Sequence, residues 1–510
     1  MGSVGTEPTG LYGRFAETMA GASGRGILVE AGETALDGNG LAAAVERWAA
    51  ALHALGVRPG DRVAVQVRKS LDQVLLYLAN LRLGAVHLPL NESYSSDEIA
   101  YFLEDAGPKL FVCDPEHRTD YAEFQSRFGV IVETLGAAGD GSLPPIVASA
   151  NPSAPFPQLT DDDLAAIVYT SGTTGRSKGA MLTHRNLESN ARALAQAWGI
   201  VEADTLLHAL PLFHVHGLFI ALNTMLLAGG RTRFLPRFDA DAVLAGLPGA
   251  TVFMGVPTYY TRLLRHRGLD RERTAHLRLF VCGSAPLLTE IFQAFEDRTG
   301  HRVLERYGMS ECGVICSNPL DGERRPGWVG PPLPGVSVRV VDEDGNLRPH
   351  GEIGNIEVIG PNVFAGYWKM PEKTRAEFRD GFFATGDLGV RDAKGYVQIV
   401  GRSKDLIISG GLNVYPKEIE EILDEAPGVG ESAVIGLPHP DFGEAVVAVV
   451  TSADPSNPPK SDEVINAARA RLAAFKVPKT VFLADELPRN TMGKVQKALL
   501  REAHARHFAL

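Results

Sequence analysis

Tyr169-Thr-Ser-Gly-Thr-Thr-Gly-Arg-Ser-Lys-Gly179 follows directly on an apolar run, Leu164-Ala-Ala-Ile-Val-Tyr169. The run predicts a buried strand, and the glycines, hydroxyls and two cations beyond it predict a loop that cradles phosphate. Glycines let backbone N–H groups approach an anion closely, hydroxyls add donors, and Arg176 and Lys178 offset the charge. The spacing is not that of the Walker loop, because Lys178 here precedes the last glycine, Gly179. A nucleotide triphosphate is the expected guest. The alternative for such a composition is a flexible surface turn.

Outward from this loop, the first half of the chain alternates strand and helix signals, as layered α/β proteins do. Leu41, Val45, Trp48, Leu52 and Leu55 share one helical face that Gly56 ends, and Arg62-Val-Ala-Val-Gln-Val67 follows as a strand. A helix over 71–83 leads to Ala85-Val-His-Leu-Pro-Leu90, and further strands are predicted at 167–169, 251–254 and 279–282. Residues 138–163, rich in Gly, Pro, Ser and Asp, predict a surface connection. From Val336, short strands and turns such as Asp342-Glu-Asp-Gly345 predict a β-rich subdomain over 336–400. Beyond Lys404, a helix through Ile419, Ile422 and Leu423, strands at 433–435 and 445–450, and a long helix from Ser461 predict a compact last domain. The expected fold is thus α/β, with a large multi-layer N-terminal domain that includes the β-rich subdomain, and a small α+β C-terminal domain.

The 510 residues, 45% of them hydrophobic, are enough for several cores. A net charge of −11 with no basic run excludes a general nucleic-acid binder. Cys113, Cys282, Cys312 and Cys316 lack metal-type spacing and read as reduced thiols. No signal segment or membrane-length apolar stretch is present, so a cytoplasmic location is expected.

Five more segments follow the phosphate loop in order: Gly283-Ser-Ala-Pro-Leu287, Glu305-Arg-Tyr-Gly-Met-Ser-Glu311, Thr385-Gly-Asp387, Gly401-Arg-Ser-Lys-Asp405 and Pro488-Arg-Asn-Thr-Met-Gly-Lys494. Together with that loop they resemble the motifs of the adenylate-forming enzymes, the superfamily of acyl-CoA synthetases, luciferases and peptide-synthetase adenylation domains. The resemblance covers nearly the whole chain. Gly255-Val-Pro-Thr-Tyr-Tyr-Thr-Arg262, His214-Val-His-Gly-Leu218 and Gly360-Pro-Asn-Val-Phe-Ala-Gly-Tyr-Trp368 resemble the malonyl-CoA synthetases within it. The resemblance implies an adenylation core over residues 1–402 and a mobile lid over 403–510, with its hinge at Lys404. It also implies ligation of a small carboxylic acid to coenzyme A through an acyl-adenylate, using ATP and Mg²⁺ and releasing AMP and pyrophosphate.

On this resemblance Thr170, Ser171, Gly172, Thr173, Thr174, Gly175 and Lys178 hold the outer phosphates, and Glu311, beside Ser310, anchors Mg²⁺. Gly283, Ser284, Ala285 and Pro286 line the adenine pocket. Tyr307, flanked by Glu305, Arg306, Gly308 and Met309, is its platform, while Asp387 and Arg402 hold the ribose. Lys494 is the expected catalytic cation, balancing charge between the substrate carboxylate and the α-phosphate. Gly410 and Gly411 line the thioester site once the lid has turned. Relatives are controlled by acetylation of the lysine matched by Lys494. From the residues alone other readings stand: a core-filling Tyr307, a turn-capping Asp387, and solvated lysines at 404 and 494.

A second carboxylate on the substrate requires a buried cation, best an arginine with its fixed fork of donors. Arg262, in the helix predicted after Pro257, is the candidate, with His216 and His214 as further donors. The alternative is a surface arginine paired with an exposed acid. Malonate or a substituted malonate leads as substrate, and a short-chain, branched or aryl monocarboxylate is the alternative. Ser310, Cys312-Gly-Val-Ile-Cys-Ser317 and Trp328 depart from the malonyl pattern and make the expected wall more apolar. A non-catalytic nucleotide sensor is disfavoured by the intact Glu311, Asp387 and Lys494. A domain that loads a carrier protein is disfavoured because no carrier segment follows Leu510.

Overall fold

The computed structural model describes residues 9–21, 28–32, 34–152, 157–170, 177–409, 412–440, 442–490 and 493–508. Two sheets, parallel at their centres, form the large domain. The seven-stranded sheet runs in the order Gly366–Tyr367, Lys178–Thr183, Leu164–Thr170, Val86–Pro89, Arg62–Gln66, Leu110–Cys113 and Ile131–Thr134. The eight-stranded sheet runs Gly313–Ser317, Leu304–Met309, Leu279–Cys282, Val252–Gly255, Thr205–His208, Arg231–Phe234, Leu28–Ala31 and Thr34–Asp37. Helices cover both faces of such strands, so Leu110–Cys113, Val252–Gly255 and Leu279–Cys282 are buried at every position and read as continuous apolar runs.

The helix Leu71–Leu83 shows how the sequence sets these layers. Ser70 caps it by accepting from Gln73 N at 3.2 Å, and Gly84 ends it at φ 70°, a left-handed conformation that glycine adopts without penalty. Every residue of it except Asp72 is buried. Arg82 survives there because Glu46 of the helix Gly38–Ala54 lies 2.7 Å from its Nη2.

The stretch 138–163 is more ordered than its composition predicts, because it contains the helix Leu143–Ser149. Pro144 and Pro145 occupy its first turn, where a missing N–H costs nothing.

The strands Ser337–Val341, Gly354–Ile359, Phe382–Arg391, Phe378–Arg379 and Val397–Arg402 build the third, antiparallel sheet. The small C-terminal domain has a sheet in the order Leu412–Val414, Ile407–Ser409, Gly443–Ser452, Val429–His439, with Thr480–Ala484 alongside Gly443–Ser452. Its core joins Ile419 and Leu423 of the helix Pro416–Asp424 to Val464 and Ala468 of the helix Ser461–Arg471. A further helix, Lys497–His504, follows.

Parallel register decides where the motifs meet. Leu207 pairs with Phe253, Gly255 with Cys282, and Cys282 with Glu305, so four strands end along one edge of the eight-stranded sheet. The segments that follow, from His208, Gly255, Cys282 and Met309, therefore converge on one crevice at the carboxyl ends of the strands. No helix among the described residues is long and apolar enough to cross a membrane, and all four cysteines are buried free thiols.

Candidate active site

Asp387 and Arg402 face each other across two antiparallel strands. Arg402 Nε lies 2.7 Å from Asp387 Oδ1, and the Tyr307 hydroxyl donates to Asp387 Oδ2 at 2.5 Å. Asp387 is only 2% exposed, and these two donors offset the desolvation of its carboxylate. Burial, then the charge of Asp387, pushes the Tyr307 phenol upward, so it stays a donor.

Glu311 is also buried, but its neighbours are of another kind. Its Oε1 accepts from the Tyr367 hydroxyl at 3.2 Å and from Thr170 Oγ1 at 3.5 Å. Burial pushes its carboxyl up, and no cation among the described residues pairs with it directly. Lys178 Nζ stands 3.5 Å from Glu377 and 4.3 Å from the centroid of the Tyr367 ring. A desolvated carboxylate beside Thr170, held by hydroxyls and a backbone N–H and by no direct cation among the described residues, suits a hard divalent cation such as Mg²⁺. Tyr367 and Glu377 are contacts that no local motif announced. Ser310, beside Glu311, is half-buried. Ser171, Gly172, Thr173, Thr174 and Gly175 lie outside the described residues, as do Gly410 and Gly411.

Lys494 sits in a tight turn in which Asn490 N donates to Lys494 O and Lys494 N donates to Asn490 Oδ1, both at 3.0 Å. Gly493 takes φ 76°, and a Cβ there would come within 3.0 Å of Thr258, so the turn rests against the helix Pro257–Arg265. The lysine keeps solvent access, yet its ammonium is crowded by protein. That crowding, then the charge of Arg402, lowers its pKa to about 8, with Asp387 and Asp405 acting in the opposite sense. Lys494 and the Asp387 corner therefore share one electrostatic neighbourhood. Lys404 is exposed, between Ser403, which donates to Asn355 at 3.2 Å, and Asp405, which pairs with Arg501 at 2.6 Å.

On the opposite side lie the loop from Gly283 and the two histidines. Glu305 Oε1 accepts from Leu287 N at 3.1 Å and so closes the 283–287 loop; burial raises its pKa to about 7. Ser284 takes φ 72°, unusual for a residue with a side chain, and its hydroxyl lies 3.1 Å from His216 Nδ1. His216 opens the π-helix His216–Leu222, and its backbone N–H donates to His214 Nδ1 at 3.1 Å. Burial keeps both rings neutral, His214 with a pKa of about 4 and His216 well below its usual value.

Arg306 is 4% exposed and packs against Gly283, where any Cβ would overlap its guanidinium. Among the described residues its Nε and Nη2 are buried without a hydrogen-bond partner, as is His216 Nε2. Nε and Nη2 form the side-on fork of arginine, the edge that matches a carboxylate. Arg262, in contrast, is exposed on the helix Pro257–Arg265. Val314 and Ile315 are buried in the main core, where Asn190 holds both Val314 N and Val314 O, and Trp328 is half-buried against Arg325. Arg306 stands in the motif whose resemblance implies nucleotide binding; its lack of partners among the described residues sets it apart from its neighbours there.

Comparison with known proteins gives this arrangement its family. The profile described as AMP-binding enzyme matches residues 15–368, and that described as AMP-binding enzyme C-terminal domain matches 418–494. The crystal structure of ATP-bound MatB from Rhodopseudomonas palustris superposes with a TM-score of 0.95 at 52% identity, over 98% of this chain and 100% of that one. The malonate–CoA ligase of Arabidopsis thaliana is 36% identical, over 88% of this chain and 79% of its own length. A feruloyl-CoA synthase of Amycolatopsis is 37% identical, over 93% and 95%. The chain belongs to the AMP-binding enzyme family and is an AMP-forming acyl-CoA ligase that uses ATP and coenzyme A.

Proposed function

We propose that the acid ligated is malonate or a substituted malonate. The observation that carries this reading is the buried Nε–Nη2 edge of Arg306, unpartnered among the described residues. A buried cation without a partner is costly, and a substrate carboxylate would relieve that cost while fixing the orientation of the acid. His216 Nε2, equally unpartnered, would add a donor, with His214 behind it. Arg262 stands as an outer cation on the helix beneath the Lys494 turn.

Adenylation brings a carboxylate up to a polyphosphate, so its barrier is the repulsion between anions. Asp387 and Arg402 would hold the ribose, Tyr307 and the 283–286 loop the base, and Lys178 the outer phosphates. Glu311 is the residue that would hold Mg²⁺, which supplies further charge neutralisation on the phosphate oxygens. Lys494, cationic below a pKa of about 8, would stand between the two anions as they combine. Rotation about Lys404, exchanging Lys494 for the 410–411 face, would then admit the thiol.

Turnover of a panel of acids with ATP and coenzyme A, followed by pyrophosphate release, tests the reading. Malonate and methylmalonate should lead, and propionate should trail them by about tenfold or more, the worth of one charge-assisted contact. Equal turnover of propionate and malonate would overturn it in favour of a monocarboxylate, the class to which the feruloyl-CoA synthase relative points.

A further inference from the structure

Lys69 lies outside every motif described above, just after the strand Arg62–Gln66 of the seven-stranded sheet. Its side chain crosses to the end of the strand Thr205–His208 in the other sheet. There its ammonium lies 2.9 Å from His208 Nδ1 and donates to His208 O at 2.7 Å and Leu210 O at 2.8 Å. The Phe234 ring covers it, with the centroid 5.1 Å away, and it forms no ion pair among the described residues. Burial pushes the Lys69 pKa well below its ordinary value, but three acceptors around one nitrogen call for three donors, which only the ammonium form supplies.

What these bonds hold is the segment 208–217. His208 Nε2 lies 2.9 Å from Gly217 O, so a neutral His208 donates from Nε2 and accepts the Lys69 proton at Nδ1. One imidazole therefore ties the start of the segment to its end. Gly217 closes the loop tightly, because a Cβ there would overlap Pro211 O. The Tyr259 hydroxyl adds a tether to Ala209 O at 3.4 Å. Between these ties lie His214 and His216, and the π-helix begins where the last tie is made. A π-helix is a rare geometry that persists only where its surroundings dictate it.

We propose that Lys69 is a positioning residue of the acid site: by binding His208 and Leu210 it fixes the 208–217 segment and so aims His214 and His216. The inference rests on the acid-site reading given above. Lys69 touches no substrate; it acts through His208 and the backbone.

Lys69→Met keeps the length of the side chain and removes all three donors. It should raise the acid KM about tenfold and leave the ATP KM within about twofold, because among the described residues no hydrogen bond or ion pair joins Asp387 or Arg402 to the segment. Lys69→Arg, which retains donors, should recover part of the loss. His208→Leu should reproduce the Lys69→Met phenotype, and the double variant should be no worse than either single, as expected of residues acting as one unit. Histidine ¹⁵N resonances of the free enzyme give a readout independent of turnover: His214 and His216 should shift in Lys69→Met and return toward their wild-type positions in Lys69→Arg. Acid and ATP KM rising together, additive losses, or unmoved His214 and His216 resonances would overturn the proposal. His216→Ala tests the underlying reading separately, since an unchanged acid KM there refutes the acid site, while the resonances still judge Lys69.

Discussion

The two walls of the crevice solve the same electrostatic problem in opposite ways. On the wall proposed to hold the ribose the protein satisfies its own charge: Asp387 is held by Arg402 on one oxygen and by Tyr307 on the other. On the wall proposed to take the acid, Arg306 and His216 are just as buried, but among the described residues Arg306 Nε and Nη2 and His216 Nε2 are left without partners. A self-satisfied wall is rigid before any ligand arrives. On the proposed reading a wall with unpartnered donors is poised for an anion and would discriminate by it, because a substrate lacking the second carboxylate would leave those donors unpaired. Lys494, whose charge is felt at Asp387 and Arg402, is in the proposed reading the cation that stands between what the two walls would hold.

The sharpest break in this comparison removes that shared cation. Lys494→Ala should cost about 10²- to 10³-fold in acyl-adenylate formation, measured by acid-dependent pyrophosphate exchange, with little change in Tm because the side chain lies in a solvent-accessible turn. Damage to the ribose wall alone comes next. Asp387→Ala leaves Arg402 and the Tyr307 hydroxyl without their anion and should raise the ATP KM by about 10- to 100-fold with a smaller effect on the acid KM. Equal rises in both would show that the walls are not separable.

The pH dependence follows from the sign of the Lys494 shift. Its folded pKa is lowered to about 8, so the working cation is present below pH 8 and is lost above it. Adenylation should therefore fall about tenfold per pH unit well above a midpoint near 8, whereas a lysine with its ordinary value of 10.5 would hold the rate nearly level to about pH 9.5. The smallest effect is expected at the seam. Ser284→Ala removes the hydroxyl bound to His216 Nδ1 and should raise the acid KM about three- to tenfold, as one buried hydrogen bond is worth.

The sequence was most legible where chemistry is local. The capped helix Leu71–Leu83 and the apolar strands Leu164–Thr170 and Leu279–Cys282 lie where periodicity and apolar runs placed them. It was least legible where function depends on partners far along the chain. Tyr367 meets Glu311 across 56 residues, and Lys69 meets His208 across 139. No spacing rule announces either contact. Arg306 was hidden for another reason: its distinction is an absence of partners, which appears only once every neighbour has a position. The helix Leu143–Ser149 was masked by Pro144 and Pro145, which read as loop although the first turn of a helix accepts them. The π-helix at His216 escaped as well, since its apolar residues carry no period that separates it from an ordinary buried helix.

The contrast between the walls is tested most directly by the ratio of kcat/KM for malonate to that for propionate in wild-type enzyme and in Arg306→Lys and Arg306→Ala, each shown by its Tm to be folded. The account predicts a ratio that favours malonate in the wild type, narrows in Arg306→Lys, which keeps the charge but loses the fork, and approaches one in Arg306→Ala, with the ATP KM nearly constant throughout. A ratio that is unchanged across the three proteins, or an ATP KM that rises in step with the loss of malonate turnover, would contradict it.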